Sequence, residues 1–267
     1  MTFQPVIPLT GNAGWSFLTR TREAQEEAFR ATALNQRETQ YFRDTIGNVT
    51  SAEDLVSDRR LMSVALGAFG LDEDINNTFF IRKVLEEGTR DDAAFANRLG
   101  DRRYFQMAEA FGFDLSPPNT RLGTFGDRIA EDYLSRQFEV AVGNSDPDMR
   151  LALGLERELE TLSERGLSEA AQWFTVLGTP PLRRVFETAL GLPAAAAGLD
   201  IDRQLEMFRD KALTAFGVSA PDAFADPGKQ EELVRRFLLQ SEVAAAGSGF
   251  SSGAVALSLL QSQQPLF

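Results

Sequence analysis

The chain of 267 residues has no histidine and no cysteine, is 43% apolar and 25% charged, and carries a formal net charge of −12. Losing both residue types removes the usual routes to neutral-pH acid–base catalysis, thiol chemistry and soft-metal ligation. A field of this sign repels phosphate backbones and anionic bilayers, so neither nucleic acid nor membrane insertion is expected.

The length suits one large or two smaller domains. Twenty-one phenylalanines against 2 tryptophans and 3 tyrosines favour rings that face a packed interior, because Phe has no polar tip to leave in water. No window approaches the roughly 18 apolar residues of a membrane span. The start, Met1 to Leu9, lacks the basic and apolar regions of a cleaved secretory signal. The expected location is therefore the cytoplasm at synthesis, with export by a route that needs no cleaved signal left open.

Taken in order, residues 1–15 hold Pro5, Pro8, Gly11 and Gly14 and read as a flexible lead-in. From Ser16 to Ile46 neither Gly nor Pro occurs, and Leu18, Thr21, Ala24, Ala28, Ala31, Leu34 and Tyr41 recur at three- and four-residue steps. That spacing predicts one long helix with a narrow apolar stripe, stopped at Gly47. Thr50 and Glu53 form a candidate capping box. Short helices follow, each closed by glycine: Arg60–Phe69 by Gly70, Phe79–Glu87 by Gly88, Ala93–Leu99 by Gly100 and Arg102–Phe111 by Gly112. Ser116-Pro117-Pro118-Asn119 reads as a hinge. Beyond it helices are expected over Asp127–Val142, from Asp146 to Leu162, and over Ser168–Leu177, Leu182–Leu190, Ile201–Phe216 and Gln230–Ala246.

The fold class is thus all-α, a multi-helix array with a lead-in at 1–15, one lobe at 16–114 and a second at 115–246. Residues 247–267 read as a flexible linker followed by an apolar tail. Three short matches keep their order between the lobes. Gln40-Tyr41-Phe42 resembles Gln172-Trp173-Phe174, Ala68-Phe69-Gly70-Leu71 resembles Ala189-Leu190-Gly191-Leu192, and Ala94-Phe95-Ala96-Asn97 resembles Ala223-Phe224-Ala225-Asp226. They suggest a duplicated helical unit.

Motifs for chemistry are incomplete. Asn144-Ser145-Asp146-Pro147-Asp148 opens like a calcium loop, but Met149 and Leu155 stand where Gly and Glu are needed. Gly228-Lys229 is followed by Gln230, not by the Ser or Thr of a phosphate loop. No metal, cofactor or catalytic residue is expected. The residues expected to meet a protein partner are Trp15, Phe17 and Leu18 at the start, and Val255, Leu257, Leu259 and Leu260 at the end.

The run Leu55–Ile75, LVSDRRLMSVALGAFGLDEDI, the segment Phe80–Thr89, Ala96–Leu99, Val142–Asn144, Met149–Leu153 and Asp226-Pro227 resemble the domain-of-unknown-function family numbered 1217, found mainly in alphaproteobacteria. That resemblance implies a setting in flagellar gene regions and supplies no catalytic residues. The expected role is a non-enzymatic structural or protein-interaction protein, with flagellar components as candidate partners. The alternatives are a cytosolic export chaperone or, further off, an enzyme working through carboxylates and arginine.

Overall fold

The computed structural model describes residues 3–249, with side chains through residue 246. Among these residues there are thirteen α-helices and no strand, as the glycine-closed apolar periods require. They fall into two compact units. Among the described residues the first comprises 3–8, 17–154 and 178–180, and the second comprises 9–16, 155–177 and 181–249. The long cut in sequence therefore falls between Gly154 and Leu155, and the Ser116–Asn119 stretch lies inside the first unit. The prolines there bend a connection between two packed helices, and do not separate two cores.

In the first unit the element with the most apolar sequence becomes the centre. Helix α4 (Arg59–Phe69) has no charged residue after Arg60 and buries Leu61, Met62 and every residue from Val64 to Phe69. A helix apolar on all sides has to be surrounded. Helices α2 (Ala33–Ile46), α3 (Ala52–Ser57), α7 (Arg102–Phe111) and α8 (Phe125–Gly143) do this. Gly67 sets how close α8 comes, since a Cβ there would stand 2.7 Å from a ring carbon of Tyr133. Asp58 caps α4 by accepting from the Arg60 and Leu61 amides at 2.9 and 3.1 Å. At the other end Gly70, at φ 67°, closes it with Leu71 N–H donating to Leu66 C=O at 2.9 Å.

Two local expectations change. The helix expected over Ser16–Ile46 is two, α1 (Gly11–Arg30) and α2, broken at Ala31–Thr32. The amide of buried Asn35 donates to Phe29 C=O at 2.9 Å and so satisfies the end of α1. The small-residue stripe is correspondingly wrong, for Ala24, Ala28, Ala31 and Leu34 are exposed while Phe29, Asn35, Thr39, Phe42 and Ile46 are buried. The lead-in also ends earlier, at Gly11. The capping box is Ser51 with Asp54, one position beyond Thr50 and Glu53. Helices α5 (Thr78–Glu87) and α6 (Phe95–Arg98) complete this unit together with the first part of α9 (Pro147–Glu164).

The second unit is organised around Trp173 of α10 (Glu169–Gly178). Its ring meets Phe186 and Phe208 edge-on at 5.5 and 5.9 Å, and Phe224 then meets Phe186 and Phe216 at 5.3 and 5.1 Å. These rings come from α11 (Pro180–Ala189), α12 (Ile201–Phe216) and the turn Pro221–Ala225. The Trp173 indole N–H donates to Ser219 C=O at 2.8 Å. The final helix α13 (Pro227–Gly249) adds Leu233, Val234, Phe237 and Leu238.

The two units share a succession of elements. Helix, 3-10 turn, helix, short turn, helix runs as α4, Asp72–Asn76, α5, α6, α7 in one and α11, Ala194–Gly198, α12, Pro221–Ala225, α13 in the other. Both α4 and α11 end on a left-handed glycine, with Leu192 N–H donating to Glu187 C=O as Leu71 does to Leu66. An arginine donates to a backbone carbonyl at each of these ends, Arg103 to Gly70 and Arg236 to Ala189. The buried aromatic of the Gln-aromatic-Phe match is Phe42 in one unit and Trp173 in the other, with Phe174 41% exposed. The structural register is therefore one residue from that suggested by the letters.

Candidate functional site

Within the second unit, the start of α1 runs antiparallel beside α13. The Trp15 indole N–H donates to Glu231 at 3.3 Å, and the Asn12 side chain donates to Arg235 C=O at 3.3 Å. Further along α13, the Glu242 carboxylate occupies the space a side chain on Gly11 would need, and Gly11 itself has φ 56°. A carboxylate at the first turn of a helix is favoured by the dipole and by the free amides there. The antiparallel order sets Asn12 and Gly11 beside the later turns of α13.

Leu238 is 2% exposed, yet Leu239 is 51%, Val243 58% and Leu9 56% exposed. Leu239 and Val243 are four residues apart and so share a face of α13. A shallow depression of about 410 Å³ beside it is lined by Asn12, Glu231, Glu232, Arg235, Arg236 and Leu239, among others.

The sequence-selected contact residues divide differently. Trp15 is 7% exposed and Leu18 fully buried, so both are structural side chains and not free contacts. An aromatic and a leucine near a terminus read alike whether they meet a partner or their own chain. Phe17 is half-buried with the Arg20 guanidinium 5.7 Å from its ring. Val255, Leu257, Leu259 and Leu260 lie outside the described residues. The signal that would have selected Leu239 and Val243 is their position on the face of α13 opposite Val234, Phe237 and Leu238.

A second feature, in the first unit, was not legible in advance. An open concavity of about 930 Å³ is lined by Arg30, Arg37, Arg43 and Arg60 together with Tyr41 and Glu131 among others. Its guanidiniums are largely engaged. Arg30 pairs with Glu131, Arg43 with Asp127 at 2.9 Å, and Arg60 with Glu38 at 3.1 Å. Arg60 also stacks 3.8 Å above the Tyr41 ring. Arg37 donates to Ala33 C=O at 3.0 Å and has no acidic partner among the described residues. At the rim the Tyr41 hydroxyl donates to Asp58 at 2.5 Å. Burial raises the Asp58 carboxyl, but the Tyr41 hydroxyl, the Leu61 and Arg60 amides and the Arg60 charge together hold it below the usual carboxylate range. The same contact raises Tyr41. These residues fix the entry to α4, and arginines from α1, α2 and the start of α4 give the concavity a cationic lining in an acidic chain.

Among the described residues no group of three or more acidic side chains is placed to hold a metal ion, and no helix is long and apolar enough to cross a membrane.

Fold and surface define an all-helical protein with two units of similar element order. The family model described as "Protein of unknown function (DUF1217)" matches residues 68–238. The chain belongs to this family, as the motifs at Leu55–Ile75 and Phe80–Thr89 suggested. It is also similar to a protein of Agrobacterium tumefaciens known from an X-ray crystal structure. The two are 27% identical with a TM-score of 0.71, over 90% of this chain and 98% of that one. No curated protein matches.

Proposed function

We propose that this protein is non-catalytic and acts by binding another protein through exposed helical surface, with flagellar assembly as the setting that the family resemblance implies. One observation carries the reading. Two large aliphatic side chains on one face of α13, Leu239 and Val243, stand more than half exposed on the side opposite the buried Val234, Phe237 and Leu238. Contiguous apolar surface of this kind marks contact sites. The polar groups elsewhere have structural employment that supports it. Asp58 and Asp101 cap α4 and α7, Asp226 caps α13, and the Tyr104 hydroxyl donates to Asp74 at 2.6 Å. Export after cytoplasmic synthesis belongs to the same proposal.

The test is affinity capture of the full chain from motile cells of its source organism, alongside a version lacking residues 247–267. Specific recovery of a flagellar or export component, lost with the deletion, supports the proposal; recovery of neither from either version overturns the flagellar setting.

The guanidinium of Arg37 favours a second reading, the binding of a small anionic molecule in the first unit's concavity. Calorimetry with inorganic phosphate and with a dicarboxylate tests it; heat that disappears in Arg37→Ala supports it, and no heat with either overturns it.

The shared succession of elements, from α4 to α7 and from α11 to α13, supports descent of the two halves from one duplicated unit. Superposing residues 40–97 on 172–226 decides this. A fit no better than that of unrelated helix pairs would end it.

A further inference from the structure

The concavity of the first unit reverses the charge balance of the chain. Acids outnumber bases by 39 to 27 overall, yet the lining sets four arginines, Arg30, Arg37, Arg43 and Arg60, against two acids, Asp44 and Glu131. Glu38 and Asp127 pair with Arg60 and Arg43 without being part of that lining. The concavity follows α2 from Ala33 to Asp44, so it runs about 16 Å along the helix. Its arginines fall into two groups. Arg30 and Arg43 meet at Glu131, whereas Arg60 lies over the Tyr41 ring and donates to the Arg37 C=O at 3.2 Å. Gln36 and Gln40, both exposed, add amides to the same surface.

We propose that this groove binds a short acidic segment of a partner protein, its carboxylates on the two arginine groups and its backbone on the glutamine amides. The proposal deepens the reading of the chain as a contact protein and rests on it. The arginines already show the ligand they take. Arg43 holds Asp127 and Glu131, and Arg60 reaches both oxygens of Glu38 at 3.1 and 3.4 Å. These pairs are exposed, hold weakly in water and can yield to an incoming carboxylate, which a guanidinium fork grips through two parallel bonds. Glutamine amides both donate and accept, as peptide groups do. Length favours a segment over a free anion. About 16 Å takes about five residues of extended chain, whereas a phosphate or a four-carbon dicarboxylate covers a fraction of it. In an open concavity of about 930 Å³ a single exposed charge pair is screened; several on one chain reinforce each other, because each after the first forms intramolecularly. The net charge of −12 repels a long polyanion such as nucleic acid more than a short acidic stretch.

Fluorescence anisotropy on the full chain tests this, with a rhodamine-labelled peptide of roughly ten residues in which glutamate alternates with serine. Saturable binding at roughly 10–100 μM is expected, and binding at least about fivefold weaker when glutamine replaces the glutamates. Arg37→Ala is expected to weaken binding by about fivefold as well, with helical circular dichroism unchanged because the side chain is exposed and bonds within its own helix. If that variant loses helix, Gln36→Glu, which adds a repelling charge to the lining, carries the same expectation. Glu131→Gln frees Arg30 and Arg43 from an internal competitor and is expected to tighten binding about threefold, an effect that support of the fold alone would not produce. Absence of binding, equal binding of the two peptides, or indifference to both Arg37→Ala and Glu131→Gln overturns the proposal. Displacement by succinate or inorganic phosphate at lower concentration than by unlabelled acidic peptide overturns it in favour of the small-anion reading. A chain that ignores the peptide but captures a flagellar component refutes the groove and leaves the proposed function intact. A chain that binds the peptide and captures nothing does the reverse.

Discussion

Alkaline titration of the three tyrosines probes the packing of the first unit directly. All three phenols are held above their ordinary value of 10.0. For Tyr133 the main cause is burial against α4, to which the charges of Asp72 and Glu38 add, and together they push it up to about 12. Burial dominates for Tyr104 as well, followed by its hydrogen bond to Asp74; for Tyr41 the hydrogen bond to Asp58 leads. A phenol whose value is higher in the folded chain than in the unfolded one favours folding below the unfolded value. That stability drains as the pH rises through the native value. For Tyr133 the gap from 10.0 to about 12 amounts to on the order of 3 kcal/mol, at 1.36 kcal/mol per pH unit. Absorbance at 295 nm follows tyrosinate formation. In urea the three groups are expected to ionise together near their ordinary value. In buffer the Tyr133 part of the signal is expected only as the pH nears about 12, with helical circular dichroism falling over the same range. Three tyrosines that all titrate at their ordinary value while the helical signal is intact would refute this account of the packing.

Other substitutions separate the forces at work. Asp58→Ala removes the cap of α4 and the bond to Tyr41; a loss of about 1 kcal/mol in urea unfolding is expected, with Tyr41 now ionising earlier in the titration above. Trp173→Ala removes a fully buried ring, and should cost about 3–5 kcal/mol. Trp173→Phe keeps most of the volume but strands the Ser219 carbonyl, so a smaller loss of about 1–3 kcal/mol is expected in the same assay. Gly67→Ala gains about 0.5–1 kcal/mol of helix propensity. It also drives a Cβ into the Tyr133 ring, an overpacking cost of about 1–3 kcal/mol, so net destabilisation is expected; a stabilised variant would show that α8 yields. On the acid side, the Ser51 hydroxyl and neighbouring amides lower Asp54. Burial opposes the Arg103 contacts at Asp101, which prevail and lower it too. With Asp58 these groups contribute stability that is complete above about pH 4 and is lost as the pH falls through their lowered native values. A midpoint of thermal unfolding that does not fall with acidification would count against these bonds.

Helix stops were legible because glycine marks them chemically. Gly70, Gly112 and Gly217 all lie at positive φ just beyond the last turn of a helix, where a side chain would be strained. The break at Ala31–Thr32 was hidden because no Gly or Pro makes it; the signal is a side-chain bond from Asn35 to Phe29, which composition cannot display. The same limit applies to the surface. Trp15 and Leu18 carry the apolar character expected of contact residues, but their own chain covers them, through long-range packing that no local spacing encodes. Leu239 and Val243 read as one more turn of an amphipathic helix, and their place on the face opposite Phe237 and Leu238 is what sets them apart. The arginine-lined concavity joins side chains from α1, α2, α4 and α8, and no single stretch of sequence holds its pattern.

The size of the native protein in extracts of its source cells tests the central claim most directly. A chain that works by protein contact is expected to elute, undiluted and detected by antibody, in an assembly well above 29.4 kDa, and to return to monomer size when Leu239 and Val243 are replaced by glutamate at the chromosomal locus. Elution of the unaltered chain as a 29.4 kDa monomer, together with turnover of a small molecule that is lost in Arg37→Ala, would contradict it.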